Sequence, residues 1–161
     1  MPGDSIPEFS SPKLAEFYEL WRSKRRETEF PPRSAFPIDV LRPWIGNILL
    51  VDVRHDPLSF IMRLEGTALV AAKGLDFTGK CLNDVDLTGY EPDILSDYEI
   101  AVRERRPVCR VRTFTKKVRD LYSKVDWSRY ERLLLPLATD GHMIDMLMGC
   151  SYPLDARADM L

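Results

Sequence analysis

Apolar residues recur at helical spacing near the start of the chain and at strand spacing beyond it. Leu14, Phe17, Tyr18 and Trp21 fall at i, i+3, i+4 and i+7, a stripe that predicts an amphipathic helix. Ser11 and Pro12 supply a cap and a first-turn proline, and Arg22, Lys24, Arg25 and Arg26 stand where the helix dipole favours cations. FPPRSAFP (30–37) ends that helix and reads as a linker. Asp39 can then cap one short turn through Val40, Leu41 and Arg42 before Pro43.

Strand patterns follow. NILLVDV (47–53) is aliphatic, and LSFIMRLEG (58–66) alternates, with Phe60, Met62 and Leu64 on one predicted face and Ile61, Arg63 and Glu65 on the other. His55-Asp56-Pro57 between them is a turn signal, so the two form an antiparallel pair. The glycines at 66, 74, 79 and 89 leave room only for short helical pieces such as Thr67 to Lys73. A longer helix is predicted over 91–106, with Ile94, Leu95, Tyr98, Ala101 and Val102 apolar and Pro107 stopping it. PVCRVRTFTKK reads as a strand with Cys109, Val111 and Thr113 on one side, and 117–128 reads as a loop.

ERLLLPLATDGHMIDMLMGCSY predicts two strands about Asp140-Gly141, a pair favoured in two-residue hairpin turns. That turn pairs Leu137 with Ile144, Leu135 with Met146 and Leu133 with Met148, a wholly apolar face assigned to the core. The opposite face pairs Ala138 with Met143, Pro136 with Asp145 and Leu134 with Leu147. Five strands with helices between the second and third give an α+β fold, an antiparallel sheet with helices over one face.

Composition narrows the class. A chain of 161 residues, 45% hydrophobic and 30% charged, suits one globular domain with its own core. A net charge of −2 gives no bias toward nucleic acid or an anionic membrane. No apolar run reaches the roughly 18 residues of a membrane span, and the N-terminus does not resemble a signal peptide, so a cytoplasmic protein is expected. Three cysteines, Cys81, Cys109 and Cys150, without C-x-x-C spacing imply neither a disulfide framework nor zinc.

One stretch invites a chemical reading. GLDFTGKCL (74–82) follows the phosphate-loop pattern until Cys81, where a hydroxyl is needed. A phosphate loop must leave a buried strand and open a helix; here it follows a helical segment, and Asp76 adds negative charge. The match is accidental. His142 and Asp145 are three apart on a predicted strand and point to opposite faces, and His55 lies in a turn. No metal site and no catalytic set emerge, so an enzyme is not expected.

The order of elements resembles the PAS sensor-domain superfamily, in particular a branch of short single-domain bacterial proteins. The stretches FPIDVLRPW, NILLVDV, FIMRLEGTALVAAKGLDFTGKCLNDV, ERRPVCRV and YERLLLPLATDGHMIDMLMG carry the resemblance over about residues 33–150. On this reading residues 1–11 are an arm, 12–30 an N-terminal helix, 31–153 the PAS-like domain and 154–161 a tail. Thr78-Gly79-Lys80-Cys81-Leu82 becomes a turn beside a ligand cavity. The cavity lining expected is Met62, Leu64, Tyr98, Cys109, Val111, Leu135, Met146 and Met148. The helix stripe Leu14, Phe17, Tyr18 and Trp21 is expected on an outer sheet face of Leu134, Met143 and Leu147, within one chain or across a homodimer.

The resemblance also bears on cofactors. Haem-binding members use a histidine on the helix before the third strand, and 91–106 has none. Flavin photosensors carry Asn-Cys-Arg-Phe-Leu, whereas Cys81 stands in Gly-Lys-Cys-Leu. Haem and flavin are both disfavoured on those grounds, and the cofactor is otherwise unknown. Two functions follow: a sensory module that takes a small molecule and signals to a regulatory protein partner, or a ligand-free dimerisation or docking module.

Overall fold

The computed structural model describes residues 6–25, 28–87, 93–113 and 127–154. Five strands, β1 (Ile48–Arg54), β2 (Ser59–Glu65), β3 (Val108–Thr113), β4 (Arg129–Leu137) and β5 (Met146–Pro153), form one sheet in the order β2-β1-β5-β4-β3. All pairings are antiparallel. The helices are α1 (Pro12–Lys24), α2 (Ile38–Leu41), α3 (Thr67–Lys73) and α4 (Ile94–Arg103). Most of the loop expected at 117–128, the start of the helix expected at 91, Gly89, the end of the tail and the first part of the arm lie outside the described residues.

The sheet is covered on both sides. Leu14, Phe17, Tyr18 and Trp21 of α1 are all buried against β4 and β5. Register puts Glu131, Leu133, Leu135 and Leu137 of β4 on this side with Met146, Met148, Cys150 and Tyr152 of β5. The Glu131 carboxylate accepts the backbone N–H of Ser10 at 2.9 Å and of Ser11 at 2.9 Å, anchoring the start of α1. The Trp21 indole N–H donates to the Pro136 carbonyl at 2.9 Å. Helices α3 and α4 cover the opposite, concave side, which receives Tyr130, Arg132 and Leu134 from β4.

The β4–β5 connection differs from the two-residue hairpin. Leu137 pairs with Met146, Leu135 with Met148 and Leu133 with Cys150, two residues beyond the expected register. Asp140 explains the longer loop. Its carboxylate accepts the N–H groups of His142 at 2.8 Å and Met143 at 2.7 Å, a local alternative to ladder pairing. Gly141 adopts φ 86, and its carbonyl accepts the Phe30 N–H at 3.0 Å. The Ala138 N–H in turn donates to the Pro31 carbonyl at 3.0 Å, so the segment read as a linker is stitched to this loop.

The larger correction concerns the two faces. The wholly apolar face of β4 and β5 is the bed of α1, not the cavity side. Leu134 and Leu147, expected outside, are buried on the concave side, while Met143 lies in the loop, 61% exposed. Gly149 lies between them at the sheet centre, where a Cβ would meet Leu49 at 2.8 Å and Leu134 at 3.0 Å. Those two side chains close over the strand there.

Candidate functional site

A cavity of about 480 Å³, including space open to solvent, lies between the concave sheet face and α3 and α4. The sheet contributes Leu49, Met62, Tyr130 and Ser151; Leu69 and Ala72 come from α3, and Ile94 and Tyr98 from α4. Phe77, Leu82, Leu87 and Trp127 complete the apolar wall. Three charged side chains, Glu65, Lys73 and Arg132, also face it.

A β-bulge sets the β2 side. The β1–β2 register slips between Leu50 and Val51, so Val51 pairs with Met62 but Leu50 with Leu64. One extra residue reverses the alternation beyond it. Met62 and Phe60 point inward, Leu64 turns out to 43% exposure, and Glu65 turns in. Lys73 reaches Glu65 Oε1 in an ion pair, and the Phe77 N–H donates to Glu65 Oε2 at 3.3 Å. Burial nevertheless pushes the Glu65 carboxyl above the usual carboxylate range, opposed by the Lys73 charge.

Asp97 organises the other side. It is 1% exposed on the apolar stripe of α4, where it meets three arginines. Arg112 Nε donates to Oδ2 at 2.8 Å, Arg110 lies at 3.2 Å and Arg132 at 3.3 Å. Arg110, Arg112 and Arg132 share the concave face because they alternate along β3 and pair across to β4. The Arg132 guanidinium, on a residue 3% exposed, stands near the rings of Tyr98 and Tyr130, 5.5 and 5.7 Å from their centroids.

Of the eight residues expected to line the cavity, Met62 and Tyr98 do so. Leu135, Met146 and Met148 lie on the α1 side instead, as does Cys109 opposite Leu133. Val111 follows Cys109 on that side and is 42% exposed, and Leu64 is expelled by the bulge. Sequence reasoning missed the rest of the lining, most of the apolar wall together with the charged Glu65, Lys73 and Arg132. Asp97 carried a signal, because it falls three residues after Ile94 and four before Ala101, on the helix's buried stripe. Arg132, between Tyr130 and Leu134 on the second β4 face, carried another.

The glycine-rich stretch is a turn. Gly74 ends α3 at φ 74, and Gly79 turns the chain at φ 85. The Gly79 N–H donates to the Met62 carbonyl at 2.7 Å and the Lys80 N–H to that of Phe77 at 2.9 Å, so these amides already have acceptors. Lys80 is exposed, and Cys81 bridges to Ile61 at the sheet edge. Among the described residues no group of three His, Cys, Asp or Glu could hold a metal ion, and no helix is long and apolar enough to cross a membrane.

With this topology in place, the sequence comparison is decisive: residues 9–152 match the model of a PAS domain. The chain belongs to the PAS domain family. The match takes in α1 as well as the sheet. Among solved structures, this PAS domain is similar to a light-oxygen-voltage domain studied with a flavin analogue, with TM-score 0.52 and 9% identity over 76% of this chain and 87% of that one. It is also similar to a fungal LOV photoreceptor domain, with TM-score 0.47 and 14% identity over 87% and 91% of the two chains. A search of curated proteins returns no match. PAS domains are typically sensory modules, and this chain is a PAS-type sensory domain.

The expectation that flavin is disfavoured is corrected by the likeness to light-oxygen-voltage domains. It rested on the residues around Cys81, which test for one reactive thiol and not for the cavity.

Proposed function

We propose that this PAS domain senses by holding a small, largely apolar molecule between its concave sheet face and α3 and α4, and that occupancy is passed to a protein partner. The observation that carries the reading is the cavity itself, a largely apolar space, partly open to solvent, into which a few charged groups converge. Strand β4 supports a route outward. Tyr130 and Arg132 face the cavity, while Glu131 between them holds the start of α1. The role proposed is non-enzymatic, since the charged groups at the cavity are tied up in ion pairs.

A homodimer is part of the proposal, though not through Leu14, Phe17, Tyr18 and Trp21, which the chain's own sheet covers. Leu64 on β2 and Val111 on β3, at opposite edges of the sheet, remain exposed on the α1 side, and each is an apolar position that a second copy could cover.

Thermal denaturation against a metabolite panel tests the ligand reading, with Ala72→Phe as the cavity-filling variant. A ligand at a hundred times its Kd stabilises the fold by about 2.7 kcal/mol, or roughly 5–10 °C for a domain of this size. At least one compound is expected to shift the parent domain and not the variant. No shift across the panel, or equal shifts in both proteins, would favour a ligand-free docking module instead.

A further inference from the structure

We infer that the ligand of this cavity is an uncharged molecule with an acceptor oxygen, a carbonyl above all, on an apolar body, and that the Lys73 ammonium donates to that oxygen. The inference rests on the cavity being a binding site, as proposed above, and adds the chemical class of its occupant and the residue that selects it.

An ammonium carries three N–H donors. Among the described residues, Lys73 Nζ has two partners: Glu65 Oε1, to which it is ion-paired, and the face of the Phe77 ring, whose centroid lies 4.3 Å away. One donor remains for a guest. Glu65, Lys73 and Phe77 all line the cavity, and the Lys73 side chain is only 12% exposed. The backbone fixes their positions. Gly66 joins β2 to α3 so closely that a Cβ there would strike the Gly46 carbonyl. Gly74 closes α3 directly after Lys73, its N–H donating to the Val70 carbonyl at 2.7 Å. A donor held this way, largely out of water, makes a stronger hydrogen bond than one in free solution.

Glu65 decides the charge of the guest. Its carboxylate already balances Lys73, and its Oε2 accepts the Phe77 N–H at 3.3 Å. A guest carboxylate drawn to Lys73 would meet Glu65, a like charge beside the same nitrogen. A guest ammonium would meet Lys73 itself. A carbonyl oxygen takes the remaining N–H without either repulsion. Met62, Leu69, Ala72 and Leu82 line the same cavity and receive the apolar body.

Isothermal titration calorimetry of the full chain at neutral pH, with one apolar tail and four ends, tests this: 4-phenylbutan-2-one, butylbenzene, 4-phenylbutanoate and 4-phenylbutylamine. One site per chain is expected, with the ketone bound about tenfold or more tighter than the hydrocarbon, and the acid and amine weaker than the ketone. Lys73→Met combined with Glu65→Gln removes the donor and its counter-charge together, and is expected to bring ketone and hydrocarbon to parity while both still bind. Infrared spectroscopy of the bound ketone needs no variant, and its C=O stretch is expected at lower frequency than in a hydrocarbon solvent. An unshifted stretch, a hydrocarbon or acid bound as tightly as the ketone, or a ketone advantage that survives in the double variant would overturn the carbonyl inference. Binding that Ala72→Phe abolishes would in each of those cases leave the cavity standing as a ligand site. No binding by any of the four compounds would overturn both readings.

Discussion

At the scale of single residues, a few buried polar groups hold elements in place. Asp97 joins α4 to β3 and β4, so Asp97→Asn leaves three guanidiniums without their shared anion. An uncompensated buried charge costs about 3–5 kcal/mol, and urea denaturation should show a loss near that size. Glu131 is 2% exposed and receives two backbone N–H groups from the start of α1. Hydrogen bonds to a charged group contribute about 1.5–3 kcal/mol, so Glu131→Ala should destabilise by that order and speed amide exchange at Ser10 and Ser11. A loss of less than half a kilocalorie would show that the anchor is dispensable.

Asp140 carries a pH dependence of known sign. The N–H groups of His142 and Met143 hold its carboxyl below the usual carboxylate range. A depressed folded value means that the group stabilises the fold above its unfolded value and loses this contribution as pH falls through the folded one. The stability gap between the parent and Asp140→Ala should therefore be present at neutral pH and close in acid. A gap that persists below pH 2 would contradict the role given to this carboxylate.

Elements were the most legible level. The stripe of α1, the extent of α3 and the positions of β1 and β2 follow directly from spacing and punctuation. Register was harder. Asp140-Gly141 reads as a tight turn, but the Asp140 side chain competes for the same backbone groups and lengthens the loop. The β2 bulge leaves no mark in the hydrophobic pattern, because Leu64 looks as core-like as Met62; only Glu65, turned inward, reveals it. Helix α1 is an integral cover for the sheet. Trp21→Ala should cost about 3–5 kcal/mol, and removal of residues 1–30 should leave an unstable or aggregating domain with Leu133, Leu135 and Met148 uncovered. A truncated chain that melts at the parent temperature would contradict that view.

For the whole molecule, the decisive question was which sheet face does what. Both faces are largely apolar, so hydrophobicity alone assigns the cleaner one to the core and the mixed one to the outside. The reverse holds: the α1 stripe covers the cleaner face, and the second face, which also carries Arg132 and Ser151, lines the cavity. The same arrangement removes the α1 stripe from any dimer interface. Light scattering should give a dimer mass that falls to the monomer in Leu64→Lys with Val111→Lys; a parent protein that stays monomeric at high concentration would dismiss the dimer.

The central claim is that the cavity is a ligand site, and mass spectrometry of the material released on denaturing the purified domain tests it most directly. The account predicts a small molecule at about one equivalent per chain from the parent protein and none from Ala72→Phe folded under the same conditions. The same compound recovered equally from both proteins, or no compound from a parent domain that also binds none when offered, would contradict it.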